Sequence, residues 1–204
     1  MTSTLRALTH GAVAVAALGI AVGACAQSSQ SSLAREITGP RAGKSFIDLS
    51  VGKSTYHTSC GNVAGLTCSR GTTSYSLTAG NMITDNVGIE LSAMNLGKAD
   101  RAGGSVIARG INLSAVGRLP LGDVFGLDAK VGTTYGVTHV STAADAGLGS
   151  GRARGFGLGY GVALDVNVTR GIHGSVGWEQ HGFKFAGQGR SNVSNVTLTL
   201  GYTF

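Results

Sequence analysis

FGLGYGVALDVNV, residues 156–168, alternates two kinds of side chain. Phe156, Leu158, Tyr160, Val162, Leu164 and Val166 are large and apolar; Gly157, Gly159, Gly161, Ala163, Asp165 and Asn167 separate them. A period of two marks a β-strand whose faces meet different surroundings. In a soluble sheet the apolar face turns inward and the other carries Lys, Glu and Arg. Here the second face is mostly glycine and small side chains. Such a face suits a cramped interior, which leaves the large apolar residues to meet lipid.

The pattern recurs along the chain. FIDLSVGK (46–53), SYSLTAGNMI (74–83), VGIELSAM (87–94), VIARGINLSAVGRL (106–119), FGLDAKVGTTYGV (125–137), IHGSVGWEQ (172–180) and NVTLTLGYTF (195–204) all alternate. Eight strands result, most close to the ~9–11 residues that cross a bilayer at a tilt. The connections alternate in length: long at 57–72, tight at 84–86, medium at 97–104, short at 120–123, long at 139–152, tight at 169–171 and longer at 182–192. This predicts an all-β fold, an eight-stranded antiparallel transmembrane β-barrel in up-and-down order, with short turns and both termini on the periplasmic side. A closed barrel satisfies every backbone group, as lipid demands.

The composition agrees. The 204 residues include 34 Gly and only 2 Pro, with 13% charged residues and a mean hydropathy of +0.18. This excludes collagen and is too apolar for a disordered chain. The net charge of +6 comes from singly scattered basic residues, which argues against a nucleic-acid partner.

Residues 1–26 read as a signal peptide: Arg6, the apolar core GAVAVAALGIAVG (11–23), and ACA (24–26) as cleavage site. VGAC (22–25) also fits a lipoprotein box that would leave Cys25 acylated, but Val and Gly stand where Leu and Ala or Ser are commoner. Residues 27–45 are polar and irregular, a flexible periplasmic tether, and residues 46–204 form the barrel. Cleavage after Ala26 leaves Cys60 and Cys68, an even pair at short spacing in an exported protein, and hence an expected disulfide. A metal site would need more ligands than this stretch offers; no metal or cofactor is expected.

The units ITDNVGIEL (83–91), VTRGIHGSVGWE (168–179) and LTLGYTF (198–204) resemble the OmpA-like transmembrane domain, within the small outer-membrane β-barrel proteins of Gram-negative bacteria. The resemblance covers about residues 46–204 and is one of pattern. It implies integral insertion in the cell outer membrane among its lipids and lipopolysaccharide. It also implies a C-terminal signal, here Leu200, Tyr202 and Phe204, read by the barrel assembly machinery. Many OmpA-type proteins continue into a peptidoglycan-binding domain, and that activity is not carried over to a chain whose last residue is Phe204.

Strand parity turns Asp48, Glu90, Arg118, Asp128, Lys130 and Asp165 inward, in the periplasmic half. Buried charges must be paired, so a lumen salt-bridge network is expected, as similar barrels have. Lys53, Arg109, Arg154 and Lys184 keep the lipid-facing parity where their strands leave the membrane, with Arg70, Lys98, Arg101, Arg152 and Arg190 on the same side. They form an expected belt against lipid A phosphates. Tyr75, Tyr135, Phe156, Trp178, Tyr202 and Phe204 suggest interfacial anchoring. His173, Ser175, Glu179 and His181 share one strand without a hydrolase signature, and GFGLGYG (155–161) lacks the helix that a dinucleotide fingerprint requires.

The reading is a monomeric, non-enzymatic envelope protein whose surface loops contact lipopolysaccharide or external ligands. A narrow low-conductance pore is the alternative, and a lipid A-modifying barrel enzyme comes third. A closed barrel stays compact in detergent until heated. Boiled and unboiled samples from outer-membrane fractions should therefore migrate differently; a soluble protein without that shift would reverse the assignment of faces.

Overall fold

A computed structural model describes residues 42–58, 71–101, 103–142 and 149–204. The leader, the tether as far as residue 41, Arg70 and the Cys60–Cys68 pair lie outside the described residues. The strands are β1 (Ser45–Tyr56), β2 (Gly71–Met82), β3 (Val87–Arg101), β4 (Gly104–Leu121), β5 (Phe125–Ser141), β6 (Gly151–Asn167), β7 (Ile172–Phe185) and β8 (Gly189–Thr203). Each pairs antiparallel with its neighbours in chain order, and β1 pairs with β8 to close the barrel. That seam runs from Phe46 opposite Thr203 to Tyr56 opposite Val193. It finishes at Ser45 and Phe204, whose backbone N–H groups each donate to the other's carbonyl at 3.1 and 2.9 Å.

Burial follows the alternation. Leu49, Phe156, Leu198 and Leu200 are 60–65% exposed, and other large apolar residues all round the wall are exposed as well, an apolar surface suited to lipid. Ser50, Ser54, Ser74, Thr78, Ser92, Ser114 and Thr134 are buried between them. Outward aromatics pair along the wall, Tyr135 with Phe156 at 5.0 Å and Tyr160 with Trp178 at 5.9 Å.

The two ends are built differently. At the end holding Ser45 and Phe204, the turn end, two connections share one design. The Thr84 hydroxyl accepts from the N–H of Val87 at 2.9 Å, and the Thr169 hydroxyl from that of Ile172 at 3.1 Å. Each is a threonine-capped turn that needs no longer loop. At the opposite, hairpin end, the strands run further than the alternation of the sequence suggests. The stretches 97–104 and 182–192, expected as loops, are largely strand: β3 reaches Arg101, β4 starts at Gly104, β7 reaches Phe185 and β8 starts at Gly189.

The hairpin end also holds an unexpected core. Tyr56, Leu96, Val106, Ala108, Val140, Phe183, Phe185 and Val193 are at most 4% exposed and pack inside the barrel. Here the pattern turns over. In GFKF (182–185) the phenylalanines point in and Lys184 points out, as in a soluble barrel. Gly136 makes room: a Cβ there would run into the ring of Phe183. A register shift between Asn95 and Lys98, with Gly97 at φ 77°, lets β3 re-enter the sheet with Ala99 and Arg101 facing inward. Arg101 is 1% exposed, so it is not part of an outer belt.

Tyr56 ties this end together. Its hydroxyl donates to the carbonyl of Gly97 at 2.8 Å and accepts from the N–H of Ala108 at 3.0 Å. Tyr56→Phe orphans both groups and should cost about 1–3 kcal/mol. The check is the urea midpoint of the detergent-refolded barrel, which should fall while the heat-dependent gel shift persists.

Candidate functional site

Eight strands enclose a lumen only wide enough for side chains. All six charged residues assigned inward from parity face it, in two clusters and one separate pair. Arg118 takes Asp128 in a fork, Nε to Oδ1 at 2.8 Å and Nη2 to Oδ2 at 2.6 Å, and Nη2 also reaches Asp165 at 3.0 Å. Lys130 bridges Glu90 at 3.1 Å and Glu179 at 2.6 Å. Asp48 stands apart from both and accepts from Nε2 of His173 at 3.0 Å.

Glu179, His173 and His181 complete this layer, and reading the residues did not assign them to it. The available signal was their shared parity on β7, opposite Ile172, Val176 and Trp178. Nε2 of His181 meets Glu179 at 3.0 Å. Its Nδ1 lies 3.0 Å from the Thr134 hydroxyl and 3.2 Å from the Asn112 amide nitrogen. With Nε2–H donating to the carboxylate, Nδ1 is left to accept from Asn112. These bonds hold His181 as a structural link between β4, β5 and β7. His173 likewise serves Asp48 and lies 3.4 Å from the Thr203 hydroxyl.

A cavity of about 60 Å³ separates the groups, bounded by Asp48, Glu90, Arg118, Lys130, Asp165 and Glu179. It has room for a few waters. Toward the turn end Phe46, Met82 and Val116 form a small apolar cluster, and toward the hairpin end the core around Phe183 covers the polar layer. Among the described residues no group of three or more His, Cys, Asp or Glu could hold a metal ion.

The second feature lies on the outer wall. Strand pairing sorts the outward residues into rows. Leu49, Leu77, Ala93, Ile111, Tyr135 and Phe156 form one without a charge. One step toward the hairpin end come Val51, Tyr75, Asn95, Arg109, Val137 and Arg154. One step further, Lys53 faces Thr73, and Lys98, Ile107, His139 and Arg152 follow one another across the strands. Lys184 faces Arg190 between β7 and β8. Lys53, Arg109, Arg154 and Lys184 are all exposed, and among the described residues none of the four is paired with a carboxylate. Leu200, Tyr202 and Phe204 also point outward, 54–64% exposed, with the last two rings stacked at 6.4 Å.

The interior layer is testable. Lys130→Met leaves Glu90 and Glu179 facing each other without their shared cation, a loss of about 3–5 kcal/mol. The triple variant with Glu90→Gln and Glu179→Gln removes the stranded charges and should recover most of it. The temperature of the gel shift reads both.

A family model described as the outer membrane protein beta-barrel domain matches residues 12–204. No curated protein matches the chain. Among solved structures, Ail, the attachment invasion locus protein of Yersinia pestis, superposes with a TM-score of 0.52 at 16% identity, covering 80% of this chain and 99% of that one. Neisserial surface protein A gives 0.59 at 12% identity, over 79% of this chain and 99% of its own. The outer membrane protein OprG from Pseudomonas aeruginosa gives 0.56 at 16%, over 82% and 99%. At such identities the shared property is the fold. The family model covers nearly the whole chain, and the chain therefore belongs to the outer membrane β-barrel family, as an integral protein of the Gram-negative outer membrane.

Proposed function

We propose that this protein is a non-conducting, non-catalytic scaffold of the outer membrane, monomeric, with its turn end in the periplasm and its hairpin end at the cell surface. Its outer wall engages lipopolysaccharide. The observation that carries this reading is the change of charge along the wall: an uncharged row gives way, within two register steps, to rows bearing Arg109, Arg154, Lys53, Lys98 and Arg152. Cations at this height meet the phosphates of lipid A, and guanidinium pairs with phosphate in fork geometry. Long Lys and Arg stems reach the headgroups while staying on the apolar wall.

The interior supports a scaffold over a pore. Ions would have to pass Tyr56, Leu96, Phe183 and Phe185, each at most 2% exposed. The charged layer beneath fixes strand register by linking β1 with β7, β3 with β5, and β4 with β5 and β6. The outward side chains of Leu200, Tyr202 and Phe204 support their role as the signal taken by the assembly machinery.

Replacing Lys53, Arg109, Arg154 and Lys184 together by Gln should weaken lipopolysaccharide binding by the refolded barrel at least about tenfold, a loss of about 1.4 kcal/mol or more. The wild-type barrel should also carry no current in a planar bilayer. Unchanged binding would sink the belt, and steady conductance would favour the pore.

A further inference from the structure

Two concavities on the outer wall share two residues. The first is an apolar groove of about 590 Å³ across β2 to β5, floored by Ala93 and flanked by Leu77, Ile111, Tyr75 and Tyr135. The second is a cleft of about 430 Å³ toward the hairpin end, lined by Ile107, Arg109, His139 and Arg152. Arg109 and the apolar Val137 beside it border both. Both are open along the wall rather than enclosed.

The groove has a cause in the sequence. Ala93 occupies a row whose other members are Leu49, Leu77, Ile111, Tyr135 and Phe156. One short side chain among long ones leaves a trough on a surface that lipid covers. The cleft has a cause in the charge. Arg152 Nε donates to His139 Nε2 at 2.6 Å, which orients the guanidinium, and Arg109 stands one register step below. Asp100 lies a row further out, opposite Ser105, and among the described residues no carboxylate pairs with Arg109. Nitrogen-rich side chains gathered without a counter-charge make a site for an anion.

We propose that groove and cleft form one seat for a single molecule of phosphorylated, acylated glycolipid of the outer leaflet, lipid A in its chemistry. One acyl chain lies in the trough over Ala93. The phosphate sits against Arg109 and Arg152, with His139 holding Arg152 in place. This rests on the reading of the belt as a lipopolysaccharide contact and sharpens it from a diffuse ring of charge to a defined position on β2–β6. The groove without the cleft would fit any alkyl chain, and the cleft without the groove any soluble phosphate. Their junction at Arg109 selects a ligand that carries both.

The test uses the mature barrel refolded in detergent, with the gel shift as the folding control. The probes are bisphosphorylated lipid A, the same lipid dephosphorylated, and glucosamine phosphate without acyl chains. Ala93→Phe fills the trough and alters no charge; it faces lipid and should not disturb folding. Ala93→Phe, and separately Arg109→Gln with Arg152→Gln, should each weaken lipid A binding about tenfold. Lys44→Gln, at the opposite end, should leave it unchanged. Dephosphorylated lipid A and the acyl-free phosphosugar should both bind the wild type at least about tenfold more weakly. The seat is overturned if Ala93→Phe binds like wild type, or if either incomplete probe binds as tightly as lipid A. If the four-residue belt variant still loses binding in that case, the belt stands and only the seat falls. If that variant also binds normally, both fall.

Discussion

In hydrocarbon no water is available to a backbone N–H or C=O, so a sheet there can have no open edge. Everything else in this molecule follows from the meeting of β1 and β8. The ladder from Phe46–Thr203 to Tyr56–Val193 turns a meander into a ring, and Ser45 and Phe204 complete it through their backbones. A ring of eight strands has a narrow bore. Inward positions must then be small, or must interlock, and the glycine and serine content of the inner face answers the first demand.

The ion pairs answer the second. Among the described residues, two cations in the polar layer, Arg118 and Lys130, face five carboxylates, Asp48, Glu90, Asp128, Asp165 and Glu179. The imbalance explains why two histidines belong there: His173 and His181 each bring a ring nitrogen to a carboxylate that would otherwise lack a donor or share one. None of these pairs is a strong argument for stability by itself, because desolvation offsets attraction. Their contribution is register. A slip of one residue on β1, β3, β4, β5, β6 or β7 would carry its charge to the lipid side.

The fold was legible because the period of two holds wherever the wall faces lipid, and face assignment by parity placed all six inward charges on the inner face. Glu179, His173 and His181 sat on the same parity but invited comparison with a catalytic set rather than with the charges on β3 and β5. The core around Phe183 was illegible for a different reason. Beyond the lipid the outside of the sheet meets water, so the same period of two codes apolar-in and polar-out. GFKF and the residues after Gly97 obey that inverted rule and resemble loops when judged by the membrane rule. Arg101 moved from the surface to the interior because one extra residue at the bulge shifts parity, and no periodicity signals such a shift in advance.

The protruding strands of the hairpin end are packed from within by Tyr56, Leu96, Phe183 and Phe185. A segment held by its own core has little conformational freedom left to lose when something docks on it. It also divides its sequence into two tolerances. Inward positions accept only apolar residues of matching volume, whereas outward ones can change chemistry without cost to the fold. Evolution can therefore repaint the rim residue by residue while its geometry stays constant, which makes it a stiff template for recognition.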